Sequence, residues 1–137
     1  SYAVYIERLF PRRSTTAFLG VGSRLPACKT AVGKTLIAWL PDVQRAEWLQ
    51  QYCPTIDCTP ELEEIKRQGY GFIDNEELSM GAKAVSAPVF NHLGEITAAI
   101  NIVGPIARMS DERVQGELLP LLRNTTLHIS RLLGYDG

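Results

Sequence analysis

Asp74, Asn75, Glu76 and Glu77 place three carboxyl groups and an amide in four consecutive residues. Two carboxylates held together can divide general-acid and general-base work, as in a hydrolase. The competing reading is a solvated acidic loop. No histidine adjoins the run, since His92 and His128 lie apart from it and from each other. Neither Cys28 nor any serine sits in a recognisable nucleophile motif, so a Cys/His or Ser/His/Asp site has no support. A small hydrolase-like enzyme using the acidic loop around Asp74 and Glu76 is therefore the alternative reading, and no catalytic residue is expected.

Gly33-Lys34-Thr35 ends as a phosphate-binding P-loop ends, but the earlier glycine of that motif falls on Cys28, and Leu25-Pro26 precedes it rather than a buried strand. Nucleotide hydrolysis is not expected. What survives is physical: the first amides of a helix starting near Ala31 lack partners and are electropositive, so they can hold a carboxylate or phosphate. An ordinary capped helix with Gly33 packed against a sheet fits the same residues, and both readings stand. Cys28, Cys53 and Cys58 form an odd set without the dense spacing of a secreted disulfide framework. They are read as free thiols. Cys53 and Cys58 have no companion Cys/His pair to complete a zinc site, so neither a metal nor a cofactor is expected.

The elements that would position these groups follow from local signals. Tyr2 to Phe10 and Thr15 to Val21 are rich in strand-forming residues and flank Pro11-Arg12-Arg13-Ser14, which predicts a hairpin. After an Arg24-Leu25-Pro26 bend, a helix is expected from Ala31 to Leu40 with Thr30 as its cap, and a second from about Val43 to Tyr52. Thr59-Pro60-Glu61 opens a third, with Leu62 and Ile65 as its apolar stripe and Gly69 as its stop. Ser110-Asp111-Glu112 begins a last helix whose stripe is Val114, Leu118, Leu121, Leu122, Ile129 and Leu132; Pro120 should kink it before Gly134 ends it.

Ala82 to Phe90 and Glu95 to Val103 flank Asn91-His92-Leu93-Gly94, which suits a four-residue hairpin loop. Pairing Phe90 with Glu95 sets Ala84 opposite Asn101 and Ser86 opposite Ala99. Strand alternation then puts Ala82, Ala84, Ser86, Ala99, Asn101 and Val103 on one face and Val85, Val89, Ile100 and Ile102 on the other. One face is bulky and apolar; the other is small, with one amide and one hydroxyl, as expected where something besides side chains must fit. Asn101 is the pointed residue there, because a buried amide needs partners: a ligand, or a neighbour such as Ser86.

At 137 residues and 45% hydrophobic the chain suits one domain, burying about two thirds of its unfolded surface. Fourteen Lys and Arg against fifteen Asp and Glu give a net charge of −1, without the basic excess of a nucleic-acid footprint. The longest apolar runs, such as Ile96 to Val103, are broken by Thr97 and Asn101 and fall short of the ~20 residues that cross a bilayer. No signal pattern opens the chain, so a cytoplasmic location is expected.

Several motifs in order resemble the effector-binding domain of the IclR family of bacterial transcriptional regulators: Gly22-Ser23-Arg24-Leu25-Pro26, Ala31-Val32-Gly33-Lys34, Arg67-Gln68-Gly69-Tyr70, Asp74-Asn75-Glu76-Glu77, Ala87-Pro88-Val89-Phe90, Gly104-Pro105 and Ser110-Asp111-Glu112-Arg113. The resemblance runs over nearly the whole chain. It implies a GAF/PAS-like α/β (α+β) fold, a curved antiparallel sheet with helices on its faces. It also implies a metabolite pocket touching Ala31, Val32, Asp74, Ala82, Ala84, Asn101 and Val103, to which the hairpin register adds Ser86. The family often carries small hydroxyls on the last strand, where this chain has Asn101 and Val103. A helix start for an anion, with Asp74 and Asn101 for hydroxyls, suggests a small hydroxylated carboxylate such as a sugar acid. The winged helix-turn-helix DNA-binding domain and the first helix and strand of the effector domain would lie outside this chain, which then reads as an N-terminally incomplete effector domain over residues 1–137. An exposed edge strand left in this way favours a homo-oligomer, a dimer or tetramer.

Overall fold

The computed structural model describes residues 1–9, 21–75 and 81–137, with Asp74 and Asn75 described by backbone alone. Capping chemistry sets the first helices. Thr30 is extended, and its Oγ1 accepts the Gly33 N–H at 3.0 Å, opening α1 (Ala31–Ala38). This helix stops short of Leu40. α2 (Asp42–Tyr52) follows Pro41, and α3 (Thr59–Gln68) carries Pro60 in its first turn. Cys58, not Thr59, is the residue before α3, and the Asp57 carboxylate accepts the Thr59 N–H at 3.0 Å. Gly69 ends α3 in the left-handed region, φ 85°, donating to the Ile65 carbonyl at 2.9 Å. Leu62 and Ile65 are buried against Ala27, Ile37 and Ala38, which joins α3 to α1.

β3 (Gly71–Asn75), β4 (Ala82–Phe90) and β5 (Ile96–Pro105) form an antiparallel sheet in that order. Ser86 pairs with Asn101 and Ala84 with Val103, two residues from the expected register. The cause is local: the loop keeps Glu95, whose carbonyl accepts the Asn91 N–H at 2.9 Å, and an irregularity between Val89 and Phe90 adds one more residue. An even slip returns every side chain to the same face, so the predicted division of the sheet holds. β1 (Tyr2–Val4) pairs with β2 (Arg24–Pro26), so the expected Arg24-Leu25-Pro26 bend is a strand. The strand predicted to reach Phe10 ends at Val4 within the described residues. Its predicted partner, Thr15 to Val21, lies outside them except for Val21, which is in a turn.

The bulky face of the sheet is closed by the C-terminal helix. α4 (Asp111–Arg113), capped by Ser110 Oγ accepting the Arg113 N–H, passes through a π-helical turn at Val114–Leu118 into α5 (Leu119–Leu132). The π turn lies just before Pro120, which lacks an N–H and crowds the carbonyl one turn back; a widened turn accommodates both where a plain kink was expected. Val85 and Ala87 pack against Met109, Val114, Leu118, Leu119 and Leu122, with Phe72, Ile100 and Ile102 alongside. Leu121 and Leu132, expected in the stripe, are exposed; Thr126 and Ser130 are buried instead. Their hydroxyls bond helix carbonyls, Thr126 to Arg123 and Ser130 to Thr126, which makes a polar side chain tolerable there. The result is a mixed α/β domain with antiparallel sheets and helices on both faces.

Candidate functional site

The small-residue face lies under α1. A Cβ added to Gly71 would stand 2.5 Å from Thr35 Oγ1 and 2.9 Å from the Ala31 carbonyl, so only glycine lets helix and strand approach this closely. Gly71 pairs with Ser86, and Ser86 with Asn101, giving one row across three strands beneath the helix. The next row is Ile73, Ala84 and Val103, and Ala82 belongs to the row after that.

Within this layer Thr35 and Ser86 are fully buried, and neither hydroxyl has a hydrogen-bond partner. Such a group ordinarily costs about 1–3 kcal/mol. Thr35 could have bonded the Ala31 carbonyl one turn back, as buried threonines in helices commonly do, and does not. Asn101 is half-buried, and its Nδ2 donates to Tyr5 Oη at 3.3 Å. Its partner is thus neither Ser86 nor another sheet residue. At the helix start, the Gly33 and Lys34 amides are taken by the Thr30 hydroxyl and carbonyl. The amides of Ala31 and Val32 precede the first intrahelical bond and can face an anion.

The register puts Ala82, Ala84, Ser86, Asn101 and Val103 on one face, with Val103 at 53% exposure, and Ala31 of α1 lies over that face beside Gly71, with Val32 next to it in the same helix turn. Asp74 does not join them by register. Its backbone pairs with Lys83, one step out of phase with Ala84 and Ser86. Lys83 belongs to the opposite face, with Nζ 5.9 Å from the centre of the Phe72 ring. Thr35, Gly71 and Tyr5 went unpredicted. Thr35 was findable, being one turn from Ala31 on the same helix face.

Other chemistry is absorbed by structure. Lys34 bonds Glu61 at 2.6 Å, which occupies the lysine of the Gly-Lys-Thr motif. Gly33 packs on the backbone of Ala27 rather than on the sheet, since a Cβ there would stand 2.1 Å from the Ala27 carbonyl oxygen. A groove of about 290 Å³ lies on the other side, between α3 and the start of the C-terminal helix, lined by Glu61, Glu64, Gln68, Tyr70, Phe72 and Asp111 among others. It shares no residue with the α1 face, and its acids are already paired: Glu61 with Lys34, Glu64 with Arg67 and Asp111 with Lys83. Arg67 beside Glu64 holds that carboxyl below its ordinary range. The groove is therefore a weaker candidate than the unpaired hydroxyls.

A sheet with one tightly packed face and one small-residue face under a capped helix is the arrangement of a ligand-sensing domain. The chain belongs to the IclR family: residues 1–131 match the model described as bacterial transcriptional regulator IclR C-terminal, the ligand-binding regulatory domain of these proteins. It is 36% identical over 125 residues to the Pca operon regulatory protein of Acinetobacter baylyi, covering 84% of this chain and 45% of that protein. It is 32% identical over 142 residues to the HTH-type transcriptional regulator KdgR of Escherichia coli, covering 96% of this chain and 53% of KdgR. The chain thus spans about half the length of the curated relatives it matches. Among solved structures it resembles the inducer-binding domain of a double mutant of the Acinetobacter transcription factor PobR, in complex with 3-hydroxybenzoic acid. The TM-score is 0.75 at 30% identity, covering 89% of this chain and 75% of that one. No helix among the described residues is long and apolar enough to cross a membrane.

Proposed function

We propose that this domain binds a small hydroxylated carboxylate of the sugar-acid class between α1 and the Gly71–Ser86–Asn101 row, and that in a longer protein this binding biases a DNA-binding domain. The observation that carries the reading is the pair of buried, unpaired hydroxyls at Thr35 and Ser86. A ligand oxygen reaching them would relieve a cost that the ligand-free domain bears. Because both are sealed in the present arrangement, α1 must shift for a ligand to reach them. The ligand then favours one of two arrangements, and unequal binding to the two is what coupling requires. The Ala31 and Val32 amides offer the anion site, and Asn101 can exchange its bond to Tyr5 for one to a ligand hydroxyl. The relatives are transcriptional regulators, so no catalysis is proposed. With net charge −1 the domain alone should not shift operator DNA in a mobility assay.

An aromatic hydroxy acid is the second reading, favoured by the bound 3-hydroxybenzoic acid named for the PobR domain. A thermal-shift screen of sugar acids, short hydroxy acids and aromatic acids separates the two. A ligand at a hundred times its Kd adds about 2.7 kcal/mol, very roughly 5–15 °C in Tm for a domain of this size. Stabilisation by sugar acids that is reduced in Ser86→Ala and Asn101→Ala supports the proposal. Stabilisation by aromatic acids alone, or a shift indifferent to both substitutions, would overturn it.

A further inference from the structure

The apolar interior divides into two cores that share no residue. One joins α1 to α3 through Ala27, Ile37, Ala38, Leu62 and Ile65, with Trp48 and Leu49 of α2 packed against it. The other belongs to the sheet and the C-terminal helix, around Val85, Ala87 and Leu122. Charged contacts repeat the division. Lys34 of α1 bonds Glu61 of α3 at 2.6 Å, while Arg45 of α2 donates to the Ala38 carbonyl at the end of α1 at 3.1 Å and pairs with Glu63 of α3 at 2.8 Å. Each of the three helices is thus tied to the other two. Where α1 meets the sheet the contact is close but slight, made at Gly71 and Ser86, and the Thr35 and Ser86 hydroxyls there bond nothing.

We propose that α1, α2 and α3 move over the sheet as one rigid lid, hinged where α3 ends at Gly69 and latched by Arg123 of α5. Gly69 has φ 85°, a backbone state that glycine adopts without strain. Arg123 donates to the Gln68 carbonyl, and its guanidinium lies 5.3 Å from the centre of the Tyr70 ring. A Cβ on Gly69 would stand 3.3 Å from that guanidinium, so the same glycine makes room for the latch. Gln115 donates to Tyr70 Oη at 2.9 Å, which holds Tyr70 to the C-terminal helix side and leaves Gly69 between a fixed residue and the lid.

The groove of about 290 Å³ between α3 and the start of the C-terminal helix is the space into which α3 can tilt. A solidly packed contact on that side would prevent it. The β1–β2 ribbon limits the travel, being joined to the lid by the bond from Trp48 Nε1 to Ser1 Oγ at 3.1 Å and to the sheet by that from Asn101 to Tyr5. The lid rests on the effector reading above, which requires α1 to shift, and adds that α2 and α3 shift with it. Its test needs no ligand, so lid and ligand can fail separately.

Amide hydrogen exchange of the full chain, followed residue by residue by NMR, separates lid from base. Arg123→Ala should speed exchange in α1 from Thr35 to Ala38 and in α3 from Leu62 to Gln68 by a common factor, about three- to tenfold, as expected for one lost hydrogen bond. The amides paired between β4 and β5 should be unchanged. If Arg123→Ala does not fold, Arg123→Lys takes its place, since it keeps the charge and loses the planar fork. Faster exchange confined to the last turn of α3 would overturn the proposal by reducing Arg123 to a local cap. Equal acceleration in β4 and β5 would also overturn it, because lid and base would then open together.

Discussion

The two faces of the three-stranded sheet share one backbone and follow opposite rules. On the C-terminal helix side, Val85, Ala87, Phe72, Ile100 and Ile102 meet leucines and a methionine, and the two buried hydroxyls there, Thr126 and Ser130, are both hydrogen-bonded. On the α1 side, Gly71, Ala84, Ser86 and Asn101 are small or polar, and two hydroxyls are buried without partners. The first face is built to hold the fold together. The second gives up that stabilisation at Thr35 and Ser86, and the proposed ligand site rests on that difference.

Substitutions should separate the faces, beginning with the packed one. Leu122, 2% exposed, leaves a cavity when cut to alanine; Leu122→Ala should cost about 2–5 kcal/mol in urea denaturation. Affinity per folded molecule should be unchanged, and a selective loss of ligand binding would blur the contrast. Gly71→Ala drives a methyl into Thr35 and the Ala31 carbonyl, so it should cost about 1–3 kcal/mol by overpacking and lift α1 from the sheet. Finding it neutral in a thermal melt would mean that α1 is not held as closely as described.

Alkali should act through the helices on the α1 side. The Cys53 pKa is raised from 9.0 to about 12 in the folded chain, so its contribution is full below pH 9 and is lost as pH rises toward 12. Stability should fall by at most about 1.4 kcal/mol per pH unit in that window. Cys53→Ala should remove this slope while Leu122→Ala keeps it, as denaturant midpoints between pH 8 and 10.5 would reveal. The smallest effect has an unusual sign: Thr35→Val and Ser86→Ala should leave stability unchanged or raise it by up to about 1 kcal/mol each, because no bond is lost. Both should weaken effector binding in calorimetry. A loss of stability in either would show that its hydroxyl has a structural partner.

What the sequence revealed depended on range. Thr30, Gly69 and Ser110 act on residues three or four positions away, and their caps were legible. The faces of β4 and β5 survived a two-residue error in pairing because strand alternation has a period of two. β2 was hidden, since Arg24-Leu25-Pro26 becomes a strand only through its distant partner β1. β3 was hidden for a similar reason: its Asp74 and Asn75 look like the start of a loop until paired with Lys83 and Ala82. The same pairing takes Asp74 out of phase with the site residues it was grouped with. The bond from Asn101 to Tyr5 rests on a contact between distant segments, which local pattern does not encode.

Ser130 bears on how movement could cross this domain. Its Oγ donates to the Thr126 carbonyl at 2.7 Å and accepts the Phe90 N–H at 2.9 Å, beside the irregularity in β4. A hydroxyl engaged in both directions acts as a pin joint between helix and sheet: small rotations about it preserve both bonds, whereas sliding along the strand breaks one. A tilt of β4 produced on the α1 side would therefore reach the far end of α5 as a swing about Ser130. Ser130 lies two residues from the C-terminal end of α5, so the swing would be largest at the other end, near Leu119 and the π-helical turn.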